Sequence, residues 1–225
     1  MKEQLTVKAL YAYPEHSRAW ELLAGAEYPW EVLSDLSDYI LRLGPTLPKD
    51  LYEEAGEGIW IAKSATISPL ATISGPTIIG ENTQVRPGAF IRGSALVGDN
   101  AVVGNSTELK NCVLFDNVQV PHYNYVGDSI LGYKAHMGAG AVTSNIKADK
   151  KNIVIHAGDE TIETGRRKVG AMLGDYADIG CNSVLNPGSV VGSNTNVYPL
   201  SFVRGFVPAN SIMKNGGKVV KKEER

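Results

Sequence analysis

Cysteine, histidine and long apolar runs are scarce in this 225-residue chain, and each scarcity excludes something. The two cysteines, Cys112 and Cys181, stand far apart and outside any C-x-x-C spacing. A disulfide framework is therefore not expected, and free thiols in a reducing compartment are. The four histidines, His16, His122, His136 and His156, include no pair closer than fourteen residues. A shared zinc site draws its histidines at closer spacing, so no metal is expected. No apolar run approaches the roughly 20 residues of a membrane span, and the N-terminus lacks the apolar region of a signal peptide. Charge of one sign is lacking too: the net charge is -2, which argues against nucleic acid or an anionic membrane as partner. These absences together predict a soluble, cytoplasmic protein.

Glycine is plentiful at 24 residues without a collagen-like period, and aromatics are modest at 8%, a balance that suits a turn-rich β architecture. Residues 1–55 read differently from the rest. A short helix is predicted from Ser17 to Ala24, where Ala19, Trp20, Leu22 and Leu23 precede Gly25. A second begins at Pro29, carries Val32, Leu33, Leu36, Ile40 and Leu43 on one stripe, and stops at Gly44-Pro45. Both should pack as an appendage or cap.

From Ile61 a six-residue period takes over. Aliphatic residues stand at Ile61, Ile67, Ile73, Ile79, Val85, Ile91, Val97, Val103 and Leu109. Four positions after each comes a small or β-branched residue: Ala65, Ala71, Thr77, Thr83, Ala89, Ala95, Ala101, Thr107 and Val113. Neither 3.6-residue periodicity nor strict alternation produces that spacing. A coil of three short strands does, each with one inward aliphatic and a small residue near the corner. Residues 56–213 are thus expected to form an all-β parallel β-helix, with coils of about 18 residues stacked at about 4.8 Å.

The register slips near Leu114, resumes at Val120 and Val126, and slips again before Leu131. A slip accommodates a loop or re-aims a side chain, as a bulge does. His122 lies in this stretch, after Pro121 and beside Tyr123 and Tyr125, which makes it a candidate general base. Between about 143 and 171 the repeat disappears. Asn152–Ile155 and Thr161–Thr164 there read as a hairpin on a Gly-Asp turn, in a loop expected to reach toward a neighbouring subunit. Repeats return from Leu173 to Val207, and a charged tail, 214–225, is expected to be solvated, with contact to a cofactor's phosphates as the functional alternative.

The hexapeptide pattern resembles that of left-handed β-helix transferases, which is the source of the expected hand. Residues 79–151 resemble the acetyltransferase half of bifunctional amino-sugar-1-phosphate acetyltransferase/nucleotidyltransferases. The likeness rests on Val85-Arg86-Pro87-Gly88, Glu108-Leu109-Lys110-Asn111, Pro121-His122-Tyr123-Asn124-Tyr125-Val126-Gly127-Asp128, Gly138-Ala139-Gly140-Ala141-Val142-Thr143-Ser144-Asn145 and Thr164-Gly165-Arg166-Arg167-Lys168-Val169-Gly170-Ala171. No glycine-rich phosphate loop precedes residue 28, so nucleotidyl transfer is not expected of this chain.

The resemblance implies a homotrimeric acetyl-CoA-dependent N-acetyltransferase acting on an amino-sugar phosphate such as glucosamine-1-phosphate or galactosamine-1-phosphate. It assigns His122 as base and Arg86, Lys110, Tyr125, Asn145 and Lys151 to the sugar phosphate. Ala139 would present backbone to the pantetheine arm, and Cys181 stands where the family has a serine near the thioester. His136 and Ile146 replace an asparagine and a tyrosine of the family pattern. The reading from another class is a non-catalytic scaffold or regulatory partner of a separate sugar nucleotidyltransferase.

Overall fold

A computed structural model describes residues 1–223, and in it the six-residue period becomes three ladders of parallel strands. The first ladder stacks Ile61, Ile79, Val97, Leu114, Leu131, Leu173, Val191 and Val207 in one inward column. The second stacks Ile67, Val85, Val103 and Val120, and continues through Met137, Ile179, Val197 and Met213. Ile73, Ile91, Leu109 and Val126 begin the third, which ends on Thr143, Leu185 and Val203. Nearly all of these side chains are fully buried from the second coil onward, so the core is a triangular prism with one aliphatic per face per coil. The all-β hexapeptide-repeat β-helix, with its helical appendage and its hairpin, is the fold that the spacing predicts.

The outward positions distinguish the three faces. On the first face they are Trp60, Ile78, Leu96, Val113, Ile130, Met172 and Val190, all apolar and all buried. The N-terminal residues cover them: Leu5, Leu10, Tyr11, Trp30, Leu36 and Ile40 join the same apolar cluster. The second face shows polar Gln84, Gln119, His136, Asp178 and Asn196. The third presents Thr72, Phe90, Glu108, Tyr125, Val142, Val184 and Phe202, among which Phe90, Val184 and Phe202 are largely exposed.

The appendage is more segmented than its sequence suggests. One predicted helix is split into a 3-10 turn, Pro29–Ser34, and an α-helix, Leu36–Leu43, because Asp35 at ψ -7 cannot carry the 3-10 turn straight into the α-helix. Residues 10–18 then run lengthwise along the edge between the first two faces. Ser193 Oγ donates to the Leu10 carbonyl, the Ala12 N–H donates to Asp175, His16 meets Asp116 at 3.1 Å, and Arg18 grips Asp99 with both terminal nitrogens.

The predicted hairpin is present as Val154–Ala157 against Glu160–Glu163, turning at Gly158. Its inner residues Ile153, Ile155 and Ala157 are fully buried, and Arg166 donates to the Glu31 carbonyl and Ser34 Oγ. The excursion is therefore anchored on its own chain along that side, since its alternating apolar residues have a surface of the same subunit to cover. The tail is ordered over its described part: Val219–Lys221 pairs antiparallel with Ser211–Met213 and closes the last coil. No helix among the described residues is long and apolar enough to cross a membrane.

Candidate active site

Apart from Lys151, the residues singled out from the sequence fall on two edges that flank the third face. One edge, between the second and third faces, is a ladder of backbone hydrogen bonds. The Asn105 side chain and the Ser106 N–H donate to the Pro87 carbonyl, Tyr123 N–H to Asn105, Gly140 N–H to His122, Asn182 N–H to Ala139 and Leu200 N–H to Cys181. His122, Ala139 and Cys181 are consequently set on successive coils of one edge, with Arg86 two coils before His122. The His122 imidazole is exposed and makes no side-chain hydrogen bond among the described residues. Its backbone is held by Asn124, 2% exposed, whose Oδ1 accepts from the His122 N–H while Nδ2 donates to the carbonyls of Gly138 and Ala141 in the next coil. Arg86 is half-buried, and among the described residues its one side-chain partner is Gln84 at 3.3 Å.

The other edge, between the third and first faces, carries Lys110, Tyr125 and Asn145 around a residue the sequence reading passed over, Asp128. Its carboxylate is 4% exposed. It accepts from Asn111 Nδ2 at 2.8 Å and Asn145 Nδ2 at 2.5 Å, and Lys110 Nζ stands 3.4 Å from both oxygens. Asn145 Nδ2 also donates to the Tyr125 hydroxyl at 3.1 Å, which leaves the Tyr125 hydrogen free to point outward. Burial, together with the nearby Asp128 and Glu108 carboxylates, raises the Tyr125 pKa, so the phenol stays protonated. Gly127 is what lets that ring lie against the main chain, since a Cβ there would sit 2.6 Å from Tyr125 Cζ. The Lys110 charge is balanced by Asp128, and Arg92 is likewise paired with Glu108 at 2.6 Å.

The register slip belongs to this second edge. Strands Glu108–Leu114 and Tyr125–Leu131 each turn the corner one residue early, with Asn111 and Asp128 in the left-handed region at φ 49. His122 is on the neighbouring corner, so the slip shapes the Asp128 cluster and not the imidazole. A signal for Asp128 was present: a carboxylate at the slipped corner has its neighbours' backbone already paired, so its side chain must be satisfied by other side chains. Asn124 could have been found too, because it occupies the slot where other coils place alanine or threonine. Lys151 joins neither edge; it is exposed in the excursion, with its N–H on Asp149. His136 pairs with Asp178 at 2.8 Å on the second face, which lowers the Asp178 pKa. Among the described residues, no three His, Cys, Asp or Glu side chains converge as metal ligands would.

Comparison with known proteins matches this architecture to sugar-related transferases. The chain is 32% identical over 109 residues, 48% of its length, to a bifunctional sugar-1-phosphate nucleotidylyltransferase/acetyltransferase from Sulfurisphaera tokodaii, and the match covers 27% of that protein. It is 35% identical over 91 residues, 40% of its length, to the bifunctional protein GlmU of Methanococcus maripaludis, covering 22% of it. The matched stretches thus span about a quarter of these relatives. Among solved structures, the acetyltransferase domain of PglB from Neisseria gonorrhoeae in complex with acetyl coenzyme A aligns over 73% of this chain and 57% of its own, at 18% identity and a TM-score of 0.37. On residues 73–215, well over half of its length, the chain matches the model of the GMPPB C-terminal domain, and it belongs to that family.

Proposed function

We propose that this protein is an acetyl-CoA-dependent N-acetyltransferase acting on an amino-sugar phosphate, with His122 as general base. The observation that carries the reading is the distribution of the assigned residues: Arg86, His122, Ala139 and Cys181 along one edge, Lys110, Tyr125 and Asn145 along the next, with the exposed aromatic face between them. A threefold arrangement of copies through that face would bring the first edge of one copy against the second edge of its neighbour and complete a cleft from two half-sites. The named activities of the Sulfurisphaera tokodaii relative support the same substrate class.

Each residue has a chemical task in that reading. An ammonium cannot attack a thioester, so a neutral imidazole must take its proton; His122, exposed and without a side-chain hydrogen bond among the described residues, is placed to do so. Ala139 and Gly140 carry at most a methyl group, which leaves the main chain open to an extended pantetheine arm. The Ala139 N–H finds no protein acceptor among the described residues and suits a ligand carbonyl. Arg86, without an acidic partner among the described residues, is the guanidinium best placed to hold a phosphate. Tyr125 and Asn145 offer a hydroxyl hydrogen and an amide oxygen to sugar hydroxyls. Lys151 is assigned to the sugar phosphate by the family resemblance alone.

A second reading, a non-catalytic scaffold for a separate sugar nucleotidyltransferase, is favoured by one observation: Asp128 neutralises Lys110, where a phosphate clamp needs net positive charge. Thiol release from acetyl-CoA, measured against a panel of amino-sugar 1-phosphates, separates the two. Activity on at least one member is expected, falling about 100-fold or more in His122→Ala, the range for loss of a general base. An unchanged rate in that variant would remove His122 as base. No turnover on any member, with binding of a sugar nucleotidyltransferase instead, would establish the scaffold.

A further inference from the structure

Among the described residues, fifteen non-glycine residues adopt positive φ, and most of them are the asparagines, serines and aspartate that tolerate it at coil corners. Tyr176 and Lys134 are exceptions with visible compensation. Tyr176 packs edge-on against Tyr13 and Tyr133, and the Lys134 ammonium lies over both Tyr133 and Tyr176. Tyr123 at φ 53 and Leu200 at φ 59 have no such compensation. Tyr123 is 62% exposed, its nearest aromatic neighbour being the His122 ring 6.5 Å away, and Leu200 is 74% exposed. Two bulky, largely apolar side chains thus stand in water on a backbone conformation that disfavours them, where equivalent corners use glycine, serine or asparagine.

Both lie on the His122 edge, and they bracket its small residues. From Tyr123 the successive corners are Gly140, Asn182 and Leu200, all at positive φ, with Ala139 and Cys181 beside the middle two. Three coil steps at about 4.8 Å separate the ends by about 14 Å, roughly the reach of four extended peptide units. The edge is therefore a saddle, with a narrow floor of main chain and small side chains between two apolar posts.

We infer that Tyr123 and Leu200 are the end posts of the acyl-donor groove, packing the two ends of an extended, amide-containing thioester arm laid across Ala139 and Cys181. The inference rests on the acetyltransferase reading above. An arm of that kind is half apolar along its length, and its burial would repay the exposed surface and backbone strain that the free protein carries at both posts.

The test exploits the strain. Tyr123→Asn and Leu200→Asn each install a residue that favours positive φ, so each variant should melt at a higher temperature than wild type. Each should also raise KM for acetyl-CoA, and the dissociation constant for CoA by calorimetry, by about tenfold, the loss expected when one large apolar contact disappears. The amino-sugar KM and kcat should not move. Leu70→Asn, an exposed leucine on the same edge beyond the saddle, serves as control and should leave acetyl-CoA affinity unchanged. Wild-type CoA affinity in both variants overturns the inference alone. Loss of affinity accompanied by a changed sedimentation coefficient makes the posts subunit contacts and also overturns it. Wild-type protein that binds no CoA overturns this inference and the acetyltransferase reading together.

Discussion

At the scale of single residues, Asp128 organises more of the candidate site than any residue the motifs pointed to. A buried carboxylate is stable only with its lone pairs occupied, and Asn111, Asn145 and Lys110 occupy them. Removing it strands two amides and an ammonium. Asp128→Ala is therefore expected to lose about 2–3 kcal/mol, the range for hydrogen bonds to a charged group, read as a lower urea midpoint with an unchanged slope. The motif made His122 legible because histidine is rare here and its neighbours are distinctive. Asp128 was hidden because reading aliphatic columns locates a slip only to within a few residues, and which of three corners absorbs it depends on strand pairing across coils.

Elements were legible in proportion to their periodicity. The inward columns follow directly from hexad spacing, since one face per six residues leaves no other register that buries every aliphatic. The hairpin was marked by two strand-like runs, Asn152–Ile155 and Thr161–Thr164, on either side of a Gly-Asp turn. The path of residues 10–18 left no such trace, because it is held by polar groups separated by 81 to 183 positions in sequence. Asp175 is the central anchor of that segment. It is 1% exposed, and burial raises its pKa to about 6 although the N–H groups of Ala12, Tyr13 and Tyr133 pull the other way. With the unfolded carboxyl near 3.8, the native state holds a proton between about pH 4 and 6 that the unfolded chain has released. The contribution of Asp175 is thus fully present below pH 3.8 and is lost as pH rises through 6, by about 3 kcal/mol in all. Asp175→Asn removes this titration. Its stability relative to wild type should climb between pH 4 and 7, and a flat difference across that range in urea titrations would refute the assignment.

The whole molecule divides its three faces by chemistry: one apolar and covered by its own N-terminus, one polar and bare, one aromatic and bare. The last, where Phe90, Val184 and Phe202 stand exposed, is the face that the proposed trimer would cover. A Phe202→Glu substitution in the proposed trimer should place a desolvated carboxylate near each copy's contact and raise the dissociation constant at least about tenfold, seen as a shift to monomer in sedimentation velocity. Phe202 is 65% exposed in the single chain, so the monomer's melting temperature should hardly change.

The lengthwise run of residues 10–18 has a consequence for cooperativity. A solenoid whose coils touch only their neighbours melts as a one-dimensional array, fraying from its ends and propagating coil by coil. Here a single segment is tied to Asp99 and Asp116 on two adjacent coils and to Asp175 and Ser193 on two more, with one coil between the pairs, so the coils it spans cannot open independently of one another. The local repeat supplies the architecture; this one non-local tie turns an unzipping array into an all-or-none folding unit, with slow exchange of amide hydrogens shared across its length.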